Sequence, residues 1–334
     1  MKTSSPNPAP CTRRDFVGLM ALAGAAAPFS GFAPHADAAQ SGGAAAPLPA
    51  NSGPTCIHVY AKFTQSFSYT ESAEILAESG YGGIDYAVRT GGHVSPERVE
   101  DDLPRAVEAA RQAGLKVEMI VTGITSADKQ AEALVRTAAK LGVKHYRFGV
   151  ITYDEKRSGW DSLQQLKPVV KDLVALNRAH GIQGVFQNQT GPRMGAALWD
   201  MFELLREHDP RWIGNQYDIR HATVEGGQSW PVALRLLSPW IRCSNLKDFK
   251  WRQVVGKETA EIVPLGEGVV NFAEYFKLVR ELKLGGPISM HLEYPPFEGV
   301  RPPLSNAEKR RQLPAALRKD LKVLKEMMAR YQIA

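Results

Sequence analysis

The run Ile57-His58-Val59-Tyr60-Ala61-Lys62, followed by Phe63-Thr64-Gln65-Ser66-Phe67, decides between two folds. Its first six residues read as a short, largely apolar strand. An open, doubly wound sheet that binds a nucleotide would place a glycine-rich phosphate turn directly after such a strand. The five residues that follow contain no glycine. Moving outward, strand-like and helix-like segments alternate about eight times, as in a βα-repeat fold. The expected strands are Ile57–Lys62, Gly83–Val88, Lys116–Val121, His145–Val150, Gly184–Asn188, Trp212–Asp218, Ile241–Leu246 and Pro287–Tyr294. Helical spacing fills the gaps at Glu97–Ala113, Gln130–Leu141, Leu166–His180, Met194–Glu207, Phe272–Leu282 and Ala307–Tyr331. Gly114, Gly142 and Gly181 stand where helix C-caps belong. Eight such units over roughly 280 residues predict an α/β chain, a single-domain (β/α)8 TIM barrel.

Upstream of the barrel the pattern changes. Arg13 and Arg14 precede a weakly apolar, Ala/Gly-rich run from Phe16 to about Ala33, and His35-Ala36-Asp37-Ala38-Ala39 follows. That order matches a twin-arginine signal peptide over residues 1–39. Residues 40–53, rich in Gly, Ala, Pro and Ser, read as a flexible linker, and 54–334 as the barrel. The expected address is therefore the bacterial periplasm. The apolar run is too short and too rich in small residues for a stable membrane span. Cleavage would remove Cys11 and leave Cys56 and Cys243, expected as two thiols rather than a disulfide.

Composition excludes several functions. Hydrophobic residues make up 44% and charged residues 23%, which is ordinary for a globular chain. The net charge of +6 comes from dispersed basic residues, without the clustering that nucleic-acid binding requires. No CxxC or Cys/His cluster points to structural zinc.

In a TIM barrel, chemistry collects where strands end, and residues two apart share a face. In the eighth strand, Ile288, Met290 and Leu292 form an apolar face, so Ser289, His291 and Glu293 turn inward. A buried carboxylate at that height is paired, ligated or catalytic. The sixth strand turns Gln216 and Asp218 inward, with His221 in the loop beyond. The fifth ends in three amides, Gln187, Asn188 and Gln189, and the seventh presents Asn245 and Lys247. Amides and an ammonium suit hydroxyl-rich ligands. Asp85 and Glu118, from the second and third strands, are further candidate substrate contacts, although hydrogen bonding inside the barrel would equally account for them. Phe63, Tyr153 and Trp160 are candidate surfaces for stacking on a sugar.

Together these segments resemble the xylose isomerase-like barrel superfamily of sugar phosphate isomerases and epimerases. The carriers are Ile84-Asp85 after Gly82-Gly83, Tyr217-Asp218 with His221, Leu246-Lys247-Asp248, Pro264-Leu265-Gly266-Glu267-Gly268, and Leu292-Glu293-Tyr294. The resemblance runs from about residue 55 to residue 300. It implies one divalent metal (manganese, zinc or magnesium) held by Glu, Asp, His and Glu from strands five to eight. Asp218 and Glu293 match that set, while Gln187 and Asn245 stand in the other two places. Amide oxygens hold a hard ion less tightly than charged ligands do, and His221 or His291 would have to compensate. Two-base epimerisation, which the resemblance assigns to a pair of glutamates, is left with Glu293 alone.

The reading that follows is a metal-assisted isomerase, epimerase or lyase on a free sugar or polyol. Glu293 or a histidine (His291, His221) is the base, and Lys247 steadies the enediolate. Gln187, Asp218, Asn245 and Glu293 form the metal set. Gln189, Gln216, Asp85, Glu118 and Trp160 contact the substrate. The alternative is a non-catalytic carbohydrate-binding barrel with a degenerate metal site. An endonuclease with a histidine-rich trinuclear zinc site is disfavoured, since the chain has only eight histidines and one of them, His35, falls in the signal. Association through the last helix, Arg310 to Met328, would make a homo-oligomer.

Overall fold

The first barrel strand, β1 (Ile57–Tyr60), has hydrogen-bonded neighbours on both sides, and closure of the barrel follows from that. The structure, a computed structural model, describes residues 56–333. The segments read as an export signal and a linker lie outside these residues.

Along the chain follow β2 (Gly83–Val88), β3 (Met119–Thr122), β4 (His145–Arg147), β5 (Gln183–Gln187), β6 (Ile213–Asp218) and β7 (Ile241–Leu246). A hairpin, β8 (Asp248–Val254) with β9 (Lys257–Val263), precedes the last barrel strand, β10 (Ile288–Met290). The barrel order is β1-β10-β7-β6-β5-β4-β3-β2, all parallel. Closure rests on Ile57, His58 and Val59 of β1 pairing with Ile288, Ser289 and Met290 of β10. The sequence-based expectation of a (β/α)8 barrel is met.

The helices are α1 (Tyr69–Glu78), α2 (Val99–Gln112), α3 (Lys129–Lys140), α4 (Gly159–His180), α5 (Trp199–Leu205), α6 (Ile219–Gly226), α7 (Trp230–Leu237), α8 (Phe272–Glu281) and α9 (Asn306–Tyr331). Local chemistry sets their ends. Ser68 and Glu71 close a capping box at α1, and Ser305 with Glu308 does the same at α9. At the other end of α4, Gly181 takes φ 67°, a left-handed cap that costs glycine little.

Alternation divides each strand between two cores. Outward residues such as Val59, Ile84, Ile120, Tyr146, Phe186, Tyr217, Met290 and Leu292 pack under the helices. Inside the barrel, Tyr60, Ala87 and Val121 form one small apolar cluster, and Met119, Val185 and Cys243 another. Much of the remaining interior is polar: His58, Asp85, Gln216, Asp218, Asn245, Ser289 and His291 are all buried.

Several strand edges differ from the sequence-based ones. β1 ends at Tyr60, where the chain turns into a short 3-10 helix over Ala61–Thr64. β4 stops at Arg147 and β10 at Met290, so His291 to Glu293 continue as irregular backbone. The β8–β9 hairpin was not foreseen. It turns on Val255 and Gly256, both with positive φ (49° and 75°), as a two-residue primed turn requires. Cys56 and Cys243 are both free thiols. No helix among the described residues is long and apolar enough to cross a membrane.

Candidate active site

Asp218 ends β6 and caps α6, so its carboxylate is fixed by the step from strand to helix. Oδ1 accepts the backbone N–H of His221 at 3.0 Å. The side chain of Asn188 grips the Asp218 backbone from both sides, donating to its C=O at 2.9 Å and accepting its N–H at 2.7 Å. From β5, Gln187 Nε2 donates to Asp218 Oδ2 at 2.7 Å. Lys247, one residue past β7, reaches the same oxygen at 3.2 Å and Glu293 Oε2 at 2.9 Å. Its ammonium therefore sits between two carboxylates. Lys247 is 5% exposed and Asp218 fully buried, while the Glu293 side chain keeps 19% exposure and lines a cleft.

The charge states follow from this packing. Burial opposes ionisation of Asp218, but the His221 ring and the Lys247 ammonium outweigh it, and the carboxyl titrates at about 2. His221 is itself pushed down to about 3 by burial, so at neutral pH Lys247 is the positive charge beside Asp218. Arg220 also donates to His221 Nδ1 at 3.1 Å, which leaves that ring its Nε2–H. Burial works against the charge of Lys247, and Asp218 and Glu293 more than offset it. Glu293 is held well below the usual carboxylate range, with the Lys247 ammonium overcoming burial. His291 Nδ1 lies 3.7 Å from Glu293, beyond hydrogen-bond distance.

The residues present do not fit a divalent ion between these carboxylates. The Lys247 ammonium already occupies that place. Gln187 turns its N–H toward Asp218, while its Oε1 accepts from Arg147. Flipping the amide would set an oxygen against a carboxylate and a donor against a guanidinium. Asn245 Oδ1 accepts from Gln216 Nε2 at 2.5 Å, and Asn245 Nδ2 has no partner. Two anions meet one ammonium and one amide donor, so a further 2+ charge would have to displace the lysine. The ligand set expected from sequence is brought together, but its orientation is that of an ion-pair cluster. Neither histidine supplies the missing ligand. His221 meets Asp218 and Arg220, and His291 packs at a tilt against Tyr60 with ring centroids 4.9 Å apart.

The cleft beside Glu293 has a volume of about 360 Å³ and is lined by Tyr60, Lys62, Arg89, Thr122, Arg147 and Glu293, among others. Sequence reasoning missed Tyr60 and Arg147. Arg147 closes β4, two residues after His145, so inward alternation from that histidine was the available signal. Its guanidinium lies over the Tyr60 ring, 5.5 Å from the centroid.

Other candidates lie elsewhere. Gln189 bonds back to Gln187. Trp160 is 58% exposed in the first turn of α4 and does not line this cleft. Asp85 and Glu118 belong to a network deeper in the barrel, toward the start of the strands. His58 Nδ1 is 2.9 Å from Asp85 and Nε2 is 3.3 Å from Glu118. Ser289 donates to Asp85, and Lys144 pairs with Glu118 at 2.7 Å. Gly83 makes room for the ring, since a Cβ there would lie 2.4 Å from it. The donor atoms of Cys56, His58 and Glu118 all lie within 4.8 Å of one another, a grouping that could hold a metal. Burial works against a charged His58, but Asp85, Cys56 and Glu118 raise its pKa well above the ordinary value. That shift favours the imidazolium, whose two ring nitrogens face Asp85 and Glu118 as ion-pair donors.

Residues 73–327 match the family model described as xylose isomerase-like TIM barrel. No curated protein matches the sequence. Among solved structures, a xylose isomerase domain protein from Planctomyces limnophilus superposes with a TM-score of 0.59 at 15% identity, covering 84% of this chain and 100% of that one. A probable 3-DHS dehydratase from Bacillus anthracis gives 0.58 at 18% identity, covering 81% and 99%. D-allulose 3-epimerase from Methylomonas sp., in complex with D-allulose, gives 0.60 at 16% identity, covering 83% and 99%. At these identities the likeness is one of fold.

Proposed function

The chain belongs to the xylose isomerase-like TIM-barrel family, and on that premise we propose that it is a sugar-modifying enzyme that moves a proton next to a carbonyl without a divalent metal. The observation that carries this reading is the Lys247 ammonium between Asp218 and Glu293, with Glu293 on the wall of the cleft. Glu293, ionised at neutral pH, takes the proton from the carbon beside the substrate carbonyl. The electron pair of that C–H bond forms a C=C bond with the carbonyl carbon, and the π pair of the carbonyl moves onto its oxygen. Lys247 and Arg147 supply positive charge near the enediolate so formed. Returning the proton to the former carbonyl carbon, while the proton of the adjacent hydroxyl passes to the former carbonyl oxygen, gives an isomer. Losing a β-hydroxyl together with that proton gives a dehydrated product and water. Asp218 holds Lys247 in place and keeps it protonated. Gln189 and Gln216 bond to Gln187 and Asn245 beside this cluster, whereas Asp85, Glu118 and Trp160 lie away from the cleft. Export under the signal read in residues 1–39 would make this a periplasmic reaction on an unphosphorylated carbohydrate.

The test is solvent exchange. Incubated in D2O with keto-sugars, sugar acids and glycosides, the protein should place deuterium at the carbon beside a carbonyl. Glu293→Gln should lower that rate by about 10²- to 10⁴-fold, and a chelator should leave it unchanged. Binding without exchange for any of these compounds would instead favour a carbohydrate-binding barrel. Loss of exchange on chelation, restored by manganese or zinc, would overturn the metal-free reading.

A further inference from the structure

We propose that the substrate at this mouth is a sugar acid, an aldonate or uronate, and that Arg89 and Arg147 together hold its carboxylate. The inference rests on the reading of Glu293 as the base and adds the class of molecule that base acts on.

Three basic side chains, Lys62, Arg89 and Arg147, line the cleft, against a single carboxylate, Glu293. Each nearby anion already has its cation. Glu293 and Asp218 share Lys247, and Lys62 pairs with Glu298. The two arginines have only neutral partners among the described residues. Arg89 reaches the Tyr60 hydroxyl at 3.4 Å, and Arg147 donates to the Gln187 amide. In both, the buried Nε–H has no acceptor. Half-buried guanidinium groups with open donors and no counter-charge are costly to maintain unless an anion visits.

A carboxylate can accept from the terminal Nη–H groups of two guanidinium groups that line one cleft. Tyr60 keeps the two heads near each other, with Arg147 over its ring and Arg89 at its hydroxyl. A cleft of about 360 Å³ falls in the range of about 300–1,000 Å³ usual for small-molecule sites. A ligand carboxylate held by the arginines would put its neighbouring carbons against Glu293, the one base on the wall. A neutral sugar would leave both guanidinium groups dehydrated and unpaired, and that difference gives specificity.

The experiment is calorimetric titration of the full-length protein with D-glucuronate and D-gluconate, beside D-glucose and D-glucose 6-phosphate at matched ionic strength. At least one acid should bind at least about 10-fold tighter than glucose and glucose 6-phosphate. Arg89→Gln and Arg147→Gln should each weaken it by about 10- to 100-fold. Arg147→Lys, which keeps the charge but loses the fork, should fall between, and circular dichroism of each variant checks folding. Equal binding of glucose and the acids, binding of none of the four, or unchanged affinity in folded variants would overturn the proposal. Preferential binding of the phosphate would overturn it in favour of a phosphorylated ligand. The outcome separates from that of the exchange reaction. Acid binding without deuterium incorporation would retire the proton-transfer reading alone, and exchange on a neutral keto-sugar without acid preference would retire this inference alone.

Discussion

Lys247 is the residue on which the site turns, because two carboxylates depend on one ammonium. Removing it would leave Asp218, fully buried, facing Glu293 across the gap. Lys247→Met should therefore cost about 3–5 kcal/mol of stability in chemical denaturation. Adding Glu293→Gln should restore part of that loss, since one uncompensated charge goes with it. A Lys247→Met protein as stable as wild type would mean the carboxylates are not ionised together. Asp218 also predicts an acid limit. Its folded value of about 2 lies below the ordinary 3.8, so the stabilisation is complete above about pH 4 and disappears as pH falls toward 2. Measured from pH 5 to 2, stability should decline more steeply in wild type than in Asp218→Asn. Glu293, Lys247 and Asp218 were legible in the sequence because alternation near a strand end fixes a face. Height along the barrel is not written in alternation, and so Asp85 and Glu118 face inward yet sit deep. Arg147 was hidden because Phe148-Gly149-Val150 carried the apparent strand past it. The metal expectation followed residue types, whereas the orientation of Gln187 and the reach of Lys247 depend on tertiary contacts.

Loops and strands around the mouth show a second kind of dependence. Asp248, directly after Lys247, accepts backbone N–H groups from Gly266 (3.1 Å), Gly268 (2.8 Å) and Val270 (3.1 Å). That one carboxylate fastens the Pro264–Gly268 turn at the foot of the β8–β9 hairpin. Gly268 is required there, since a Cβ would fall 2.1 Å from Asp248 Oδ1. Asp248→Ala should cost about 2–4 kcal/mol by leaving these donors unmet, and the Val270 amide should exchange markedly faster with solvent. Unchanged exchange would mean that another group holds the turn. The sequence pattern of Leu-Lys-Asp and Pro-Leu-Gly-Glu-Gly was visible, but the hairpin between them was not. Its strands carry Lys250, Arg252, Lys257 and Glu258 on exposed positions, and its turn is Val-Gly rather than the Asn-Gly that marks such turns. Deeper in the barrel, His58 joins β1 to β2 through Asp85 and lies against Glu118, just before β3. Its raised pKa means that the ion pairs stabilise fully below about pH 6.5 and fade as pH rises through the folded value. His58→Gln should cost about 3–5 kcal/mol near pH 6, with the gap to wild type narrowing toward alkaline pH. A gap that widens would show His58 to be neutral.

For the molecule as a whole, closure of the barrel bears on the proposed export. β1 pairs with β2 on one side but with β10 on the other, some 230 residues later. The eighth parallel strand must therefore be synthesised before the first is fully paired, and such non-local closure is slow. An unfinished barrel would expose strand edges and apolar faces that aggregate. A route that carries a finished, folded protein would suit this topology, and we propose that the paired Arg13 and Arg14 ahead of an Ala/Gly-rich run are the signal for it. These residues lie outside the described structure, so the expectation rests on sequence alone. Replacing both by lysine should leave a folded, unprocessed protein in the cytoplasm, while the wild-type chain appears in the periplasm shortened near Ala39. Fractionation with N-terminal sequencing and limited proteolysis reads all three properties at once. If the lysine variant is still exported and processed, the chain crosses unfolded and the barrel closes only afterwards. Should the wild type stay full-length in the cytoplasm, the signal reading fails, and with it the argument for an unphosphorylated substrate.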